Sequence, residues 1–428
     1  MTAYAITFFL MVGVFMVGCF ALKLPVGVSM LCAALAGAIE GGLGLETIRM
    51  MVEGEFGYVD TILTIGCAMI FMKVIEDSGA LDALSSLIIE KFHKRPAILL
   101  ILIMLIIMFP GMITGSSTAA VLSAGSIMAP VLALMGIDAV TAGSIIAMGG
   151  LLGMIAPPVN TAALIICAGI DVPYVGFTGP LALITFPLAI LFVLLLGYKQ
   201  AKQLDYEKLK PALVKQDETR KQYGVKIYIP LLVLLALMII FKILKLGEDI
   251  GMPLMFLISA ISGLFTGRKI KVLEAVPAAI RTAAPVMGIL MGVGMFIEVM
   301  TATGVRGLIV TSCLRLPSAL WLLACAISIP LFGAVSSYGA CSVLGVPFAY
   351  IYASLLGGNS VVVLAAISLI ASCGDMMPPT ALAGLFAAQV TGVTQYTKIL
   401  KKCLVPMVIL LAWACFFLAN SKMIAGLF

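Results

Sequence analysis

The sequence predicts an all-α membrane protein whose chain crosses the bilayer many times. Of its 428 residues, 62% are hydrophobic and only 11% are charged, whereas a soluble protein carries about 25% charged residues. The mean hydropathy is +1.20, and about ten apolar stretches approach or exceed the roughly 20 helical residues that span a bilayer. These stretches are continuously apolar rather than alternating, so they indicate helices and not the strands of a membrane β-barrel.

The composition excludes several classes of function. A single histidine, His93, leaves no His-based metal cluster or His-dependent triad. The ten cysteines contain no Cys-x-x-Cys pair, and most of them lie inside apolar stretches as small hydrophobic residues. No P-loop motif for ATP is present. The net charge of +6 is expected to belong to cytoplasmic loops, so it does not indicate nucleic-acid binding.

The two halves of the chain share one pattern when the sequence is shifted by 221 residues (317 minus 96). This offset aligns Pro96 with Pro317, Ser116 with Ser337, Gly153 with Gly374, and Pro157-Pro158 with Pro378-Pro379. Each half therefore contains a Ser-rich break, at 115–118 and 336–339, and then a Pro-Pro break, at 153–161 and 374–380. We interpret this as an internal repeat.

The pattern predicts the elements in order. In the first half we expect crossings at 4–22, 25–45 and 58–76, an interfacial amphipathic helix at 79–95, helices 97–114 and 119–136 flanking the Ser-rich break, a broken helix at 138–170 and a crossing at 178–198. The counterparts in the second half are 226–245, 252–267, 282–300, 301–316, 317–335, 338–353, 354–392 and 403–420. The chain is thus divided into a first repeat (1–198), a basic cytoplasmic linker (199–225) and a second repeat (226–428).

The basic residues favour inverted halves. If each Ser-rich break is the tip of a re-entrant hairpin, each half has five crossings, and the odd number inverts the second half. With 199–226 in the cytoplasm, 20 of the 26 lysines and arginines are cytoplasmic. The outer six are Arg49, Lys242, Lys245, Arg306, Arg315 and Lys422. Ordinary helix pairs would give a similar distribution, but the unpaired backbone of a break favours re-entrance, because it must be buried in protein or line a cavity.

Inverted repeats with broken helices at matched positions are typical of secondary transporters. Carbonyls freed at a break, together with Ser and Thr hydroxyls, can coordinate a dehydrated Na⁺, and half-helix N-termini suit an anionic substrate. The alternative is that these small residues only allow close packing, as Gly149 and Gly153 would in a Gly-x-x-x-Gly pair. The occurrence of both breaks in both halves favours the functional interpretation.

Three first-half motifs carry a resemblance to a known family. The segments Gly-Met-Ile-Thr-Gly-Ser-Ser-Thr-Ala-Ala (111–120), Gly-Leu-Leu-Gly-Met-Ile-Ala-Pro-Pro (150–158) and Gly-Ile-Asp-Val-Pro-Tyr-Val-Gly-Phe (169–177) resemble the large membrane subunit of tripartite ATP-independent periplasmic (TRAP) transporters. The resemblance extends over essentially the full chain. The second half departs from the pattern with Tyr338 at the hairpin tip and Asp375 inside the break.

The resemblance implies an elevator-type transporter, in which a mobile domain holds both hairpins and both broken helices. It further implies Na⁺-driven uptake of an organic acid, such as a dicarboxylate, sialic acid or another sugar acid, across the bacterial inner membrane. The Na⁺ is a coupling ion, and no cofactor is expected. The implied partners are a periplasmic substrate-binding protein and a small four-helix membrane subunit, and we expect neither to be fused to this chain.

Candidate site residues follow from placing the family pattern on the breaks. A first Na⁺ site would use Ser116, Ser117, Gly153, Ala156 and Pro158. A second would use Gly333, Ser336, Ser337, Gly374, Met377, Pro379 and Thr380. Asn160, Thr161 and Thr380 begin half-helices and are substrate candidates. Asp375 is a candidate carrier of a proton or an ion, because ionisable groups at membrane depth are functional by default.

One other function remains open, and two further classes are disfavoured. A stand-alone sodium:carboxylate symporter of the same superfamily would need no binding protein. An ion channel is disfavoured because no acidic ring or carbonyl filter is evident. An enzyme is disfavoured because no paired metal ligands or activated nucleophile are visible. The transport-domain segments contain no lysine or arginine that could clamp a carboxylate. The sequence therefore does not identify the substrate.

Overall fold

The computed structural model describes residues 2–201, 214–244, 247–315, 317–378 and 381–428. Within these ranges it describes the backbone only for residues 2, 214–217, 242–244, 247–250, 313–314, 318–319 and 334–343. Every regular element in the described part of the chain is helical. The predicted all-α membrane fold is therefore confirmed.

The helices are numbered here in chain order. They are α1 (Thr2–Met16), α2 (Val26–Glu40), α3 (Glu46–Phe56), α4 (Val59–Ser78), α5 (Ala80–Phe92), α6 (Pro96–Thr114), α7 (Ser117–Ala120), α8 (Ser126–Leu134), α9 (Ala139–Ile155), α10 (Thr161–Gly169), α11 (Thr178–Gly197), α12 (Val214–Tyr223), α13 (Ile229–Leu244), α14 (Gly247–Gly263), α15 (Val272–Ala302), α16 (Val305–Leu314), α17 (Ser318–Ala349), α18 (Ser360–Ser372), α19 (Leu382–Thr391), α20 (Tyr396–Ala419) and α21 (Ser421–Ala425). Short π-helical turns continue α1, α7 and α17.

Seven of the described helices are long and apolar enough to cross a membrane, or eight if α3 and α4, bent by 45°, form one span. The helix predicted to be broken at the first Pro-Pro motif is two shorter helices, α9 and α10, and in the second half the corresponding helical stretches are Ser360–Met376 and α19. Helix α3 was not predicted, because it is not a continuous apolar stretch. It contains four charged residues, Glu46, Arg49, Glu53 and Glu55.

One group of helices is formed by α2, α3 and α4 of the first half, which pack against α15 of the second half. Glycines make these crossings close. A Cβ on Gly27 would lie 2.0 Å from the Gly288 carbonyl oxygen, and one on Gly294 would lie 2.2 Å from that of Gly54. The backbones therefore touch without intervening side chains, as small-residue membrane interfaces allow.

A second group is built around α9, which packs against α6 and α11 of the first half and against α19 and α20 of the second. The Gly-x-x-x-Gly pair on α9 serves this packing. A Cβ on Gly149 would lie 2.7 Å from Ile107 Cγ2, and one on Gly153 would lie 2.6 Å from the Met108 carbonyl oxygen. Both groups mix helices from the two halves of the chain.

Helix boundaries in the second group follow the sequence offset. Adding 221 to the bounds of α9 gives 360–376, and Ser360–Met376 is the corresponding apolar helical stretch. The same addition to α10 gives 382–390, against Leu382–Thr391 for α19. The caps correspond as well, since Asp138 caps α9 and Asn359 caps α18, each accepting a hydrogen bond from a backbone N–H three residues later. The correspondence supports an internal repeat.

The prediction of a Ser-rich break at 336–339 is wrong, because the backbone of α17 is helical from Ser318 to Ala349. In the first half, α6 ends because Gly115 adopts a left-handed conformation, with φ of +63°. The equivalent position at the 221-residue offset is Ser336, and a side chain makes that conformation unfavourable. A helix-ending glycine is therefore missing where the second break was expected.

The predicted amphipathic stretches are helices α5 and α16. Helix α5 packs against α12, which lies at the end of the predicted basic linker. Residues 202–213 of that linker lie outside the described part of the structure. An ion pair between Glu90 of α5 and Arg220 of α12 joins these two helices.

Candidate functional site

The tip of the first hairpin is formed by Gly115 and Ser116, between α6 and α7. Gly115 is required there on two counts: its φ is +63°, and a Cβ would lie 2.1 Å from Thr161 Oγ1. Ser116 is extended and its hydroxyl accepts a hydrogen bond from the Ala119 N–H at 3.3 Å, which caps α7. The first Ser-rich break is thus confirmed.

This tip is docked on the first Pro-Pro break, between α9 and α10. The Val159 N–H donates to the Met112 carbonyl at 3.1 Å, and the Thr161 hydroxyl donates to the Gly115 carbonyl at 3.0 Å. A Cβ on Gly111 would lie 2.9 Å from Gly153 C. The hairpin and the break therefore contact each other backbone to backbone, within one half of the chain.

The predicted members of the first ion site lie on both sides of this contact. Ser116, Ser117 and Ala156 are buried. Ala156 follows the last residue of α9, where the final helical carbonyls have no partner within the helix. The Pro158 carbonyl accepts a hydrogen bond from the Tyr174 hydroxyl at 3.1 Å, which is a partner that the sequence did not indicate.

Asn160 and Thr161, predicted to contact substrate, hold the break together. Asn160 Oδ1 accepts from the Ala163 N–H at 2.9 Å and so caps α10. Its Nδ2 donates to Ser368 Oγ of α18 at 2.8 Å, and both side chains are fully buried. Contact with substrate stays a prediction, because the hydrogen bonds of both residues are internal to the protein.

Asp375 connects the two halves. It is fully buried in the helical turn that follows α18, and one of its carboxylate oxygens accepts a hydrogen bond from the Ser117 hydroxyl of the first hairpin. The sequence placed these residues in separate sites. No sequence signal could pair them, since 258 positions separate them and the contact arises from the packing of the halves.

The second predicted ion site is only partly described. Gly333 is a buried residue of α17, Gly374 is buried beside Asp375, and Met377 is half-buried. The side chains of Ser336 and Ser337 lie outside the described part of the structure, as do Pro379 and Thr380. That site stays a prediction.

A cavity of about 600 Å³ lies between the first hairpin and helices α4 and α15. On the hairpin side it is lined by five hydroxyl residues, namely Thr114, Ser116, Thr118, Ser123 and Ser126. On the α4 side it is lined by Lys73 and Glu76, and Lys73 Nζ lies 2.7 Å from Asp77 Oδ1. Among the predicted site residues that the structure describes, Ser116 alone lines this cavity.

One further charge cluster fixes the end of α9 nearest the linker. Asp138 accepts hydrogen bonds from the Thr141 hydroxyl and N–H, and its N–H donates to Gln200 Oε1. Partial burial raises the pKa of Asp138, but the Thr141 and Gln200 hydrogen bonds and the nearby Lys402 ammonium outweigh it, and the pKa falls to about 2. The carboxylate is therefore ionised at neutral pH and stabilises the helix N-terminus.

Comparison with known proteins gives one family and a set of related folds. Residues 12–420 match the model of the tripartite ATP-independent periplasmic transporter, DctM component. The YdaH transporter of Alcanivorax borkumensis is similar in fold, with a TM-score of 0.61 and 15% identity over 89% of this chain and 88% of that one. MtrF of Neisseria gonorrhoeae, described as illuminating a class of antimetabolite efflux pumps, gives 0.61 and 15% over 88% and 84%. No curated protein sequence matches.

Proposed function

Since this chain belongs to the DctM family, the large membrane components of tripartite ATP-independent periplasmic transporters, we propose that it carries an organic acid into the bacterial cell by symport with Na⁺. Family membership makes it an inner-membrane transport subunit of a tripartite system for organic acids. Na⁺ coupling and the class of acid are the proposed part. Dicarboxylates, sialic acid and other sugar acids are the candidates.

The docking of the first hairpin on the first Pro-Pro break is the observation that carries the proposal. The Val159–Met112 and Thr161–Gly115 hydrogen bonds hold the tip against the end of α9. The carbonyls at that end that lack a partner within the helix, together with the hydroxyls of Ser116 and Ser117, are the oxygens that we expect to bind a dehydrated cation. Gly153, Ala156 and Pro158 are the proposed carbonyl ligands.

A second Na⁺ site around α17 and α18 is proposed from the repeat. Gly333, Gly374 and Met377 lie within the described residues, and Ser336, Ser337, Pro379 and Thr380 complete the proposed set. The hydrogen bond between Ser117 and Asp375 would link the occupancy of the two sites. Asp375 is also the proposed carrier if a proton moves in place of one Na⁺.

The cavity beside the hairpin tip is the proposed path of the substrate. Hydroxyls of Ser116, Thr118, Ser123 and Ser126 line it, and they can donate hydrogen bonds to a carboxylate. Lys73 is paired with Asp77 and shares the wall with Glu76, so that wall does not form a cationic clamp. Recognition by hydroxyls and half-helix ends, including those at Asn160, Thr161 and Thr380, fits this composition.

An elevator movement is proposed from the two groups of helices. The group around α15 would be the scaffold, and the group around α9, with the hairpin and the breaks, would move. The proposed partners are a small four-helix membrane subunit that completes the scaffold and a periplasmic protein that delivers the substrate.

Uptake in proteoliposomes tests the proposal. The three components together should accumulate the organic acid under an inward Na⁺ gradient, and the lone chain should be nearly inactive. Full uptake by the lone chain would favour the stand-alone symporter. Uptake that persists when K⁺ replaces Na⁺ under a proton gradient would refute Na⁺ coupling and favour Asp375 as a proton carrier.

Ser116→Ala tests the first ion site. Loss of one ligand worth roughly 1–3 kcal/mol should raise the Na⁺ concentration for half-maximal uptake on the order of tenfold. Ser126→Ala removes a hydroxyl from the same cavity, away from the tip, and should leave that concentration unchanged. Equal effects of the two variants would contradict the assignment of Ser116.

A further inference from the structure

Four segments of the chain meet at the bend between α4 and α5. The chain turns at Gly79, whose φ is +81°. A Cβ at this position would lie 2.9 Å from Thr219 Cγ2 and 3.3 Å from Arg268 Cζ. Thr219 belongs to the linker helix α12, and Arg268 belongs to the loop between α14 and α15. The bend is therefore enclosed by the linker and by the second half.

Arg268 contacts both sides of the bend. Its backbone N–H donates to the carbonyl of Ser78, the last residue of α4, at 3.1 Å. Its Nη1 lies 3.5 Å from Oδ2 of Asp82, in the first turn of α5. Its guanidinium also donates to the Thr219 hydroxyl, with Nε 3.1 Å from Oγ1. One residue thus ties α4, α5 and α12 together.

Adjacent contacts make this junction close-packed. A Cβ on Gly267 would lie 2.5 Å from the Ser78 carbonyl oxygen, so the loop backbone rests on the end of α4. Further along α5, Glu90 pairs with Arg220 of α12. The angle between α4 and α5 is consequently held from the second half of the chain.

The bend also borders the cavity beside the first hairpin. Asp82, which Arg268 contacts, lines the same cavity as Ser116 and Ser123. Helix α5 leads through three residues into α6, and α6 ends at the hairpin tip. A change in the angle at Gly79 would therefore move the tip relative to α4.

We propose that Arg268 is a positioning residue for transport, which holds the bend at Gly79 and so stabilises the state in which this cavity opens to the cytoplasm. The proposal rests on the elevator function proposed above. The basic-residue distribution places Lys73 and Arg268 on the cytoplasmic side. Releasing the bend therefore shifts the population away from the cytoplasm-open state.

Labelling of a cavity residue measures that population. Ser123→Cys is introduced into a chain whose native cysteines are replaced, and inside-out vesicles are treated with a membrane-impermeant maleimide. Adding Arg268→Gln, which removes the charged guanidinium group, should slow labelling roughly fivefold. Arg268→Lys keeps the charge but not the planar set of guanidinium donors, and its labelling rate should lie between those of the other two chains. Lys269→Gln removes the adjacent exposed charge and should change nothing.

Transport kinetics separate positioning from loss of folding. With its partners, the Arg268→Gln chain should change maximal uptake at least threefold, while the half-saturating substrate and Na⁺ concentrations stay within twofold. Unchanged labelling and unchanged maximal uptake in a correctly folded Arg268→Gln chain would overturn the proposal. If the parent system shows no Na⁺-driven uptake, the proposed function fails, and the labelling comparison still decides the role of Arg268.

A cross-link gives a second test, in which a covalent bond replaces the contact between positions 82 and 268. Cysteines at positions 82 and 268, joined by a short bis-maleimide, fix the bend in its present angle. Uptake should fall at least tenfold in the cross-linked protein relative to the same variant without the reagent. Full uptake after complete cross-linking would overturn the proposal, because the bend would then stay closed throughout the transport cycle.

Discussion

The buried hydrogen bond between Ser117 and Asp375 links the two halves of the chain through single side chains. It joins the first hairpin to the second break inside a fully buried environment. Losing a hydrogen bond to a buried carboxylate is costly, since hydrogen bonds to charged groups contribute more than those between neutral groups. We therefore expect substitutions at Ser117 and Asp375 to have strongly coupled effects on stability, although the two positions are far apart in sequence.

Ser117→Ala should lower the free energy of unfolding by about 1–3 kcal/mol, because the Asp375 carboxylate loses a buried donor. Asp375→Asn should reduce the cost of that serine deletion, since an amide is neutral and less expensive to bury. The measurement is a double-mutant cycle on thermal unfolding in detergent. Additive effects of the two substitutions would show that the residues do not interact in the folded protein.

Gly115→Ala should disrupt the docking of the hairpin tip. The new Cβ would lie 2.1 Å from Thr161 Oγ1, and the left-handed backbone costs roughly 1 kcal/mol for a non-glycine residue. Gly176→Ala is the matched control, because Gly176 is also left-handed, with φ of +81°, but has nothing within 4 Å of its Cβ position. Uptake should be lost in the first variant and retained in the second. Equal losses would show that backbone strain alone is responsible.

Among the elements, the sequence predicted the first hairpin and the first break well, because a glycine and a proline pair end helices by local chemistry. It failed at α17, where Ser336 stands at the position equivalent to Gly115 and the helix continues. It also missed the Asn160–Ser368 hydrogen bond, which joins residues 208 positions apart. Local signals predict where a helix ends, whereas contacts between halves depend on packing that no single segment encodes.

The crossing of α2 with α15 is predicted to be intolerant of any side chain. Gly27→Ala would place a Cβ 2.0 Å from the Gly288 carbonyl oxygen, so two helix backbones must separate, at a cost of about 1–3 kcal/mol. Gly13→Ala, on α1, has nothing within 4 Å of the new Cβ and should be neutral or slightly stabilising. Thermal unfolding in detergent should show a lower midpoint for the first variant only. A matching shift for Gly13→Ala would contradict the packing argument.

At the scale of the whole molecule, both helix groups draw elements from the two halves. Helix α15 packs on α2, α3 and α4, and α9 packs on α19 and α20. The halves are therefore not separate domains in space, although the offset of 221 residues recurs in the helix boundaries. The repeat thus relates elements along the sequence, whereas the interleaved packing defines the two helix groups, each of which could move as a unit.

The orientation of the halves is predicted from charge alone. The 20 cytoplasmic and six outer basic residues place the N-terminus, the C-terminus and Lys422 outside and the linker inside. Lys226 and Lys422 are both exposed. If the second hairpin re-enters or crosses twice, as the sequence predicts, an odd number of crossings separates these positions and the two lie on opposite faces of the membrane. A single continuous span by α17 would make that number even.

Single cysteines at positions 226 and 422, each in a background without native cysteines, test this arrangement in intact spheroplasts. An impermeant maleimide should label position 422 rapidly and position 226 only after the membrane is permeabilised. A cysteine at the exposed Lys91, on the cytoplasmic side in the same assignment, should behave like position 226. Labelling of 226 and 422 from the same side would refute the inverted arrangement. The proposed movement between two interleaved halves would then lose its topological basis, because it assumes that an inverted repeat presents one site alternately to both sides.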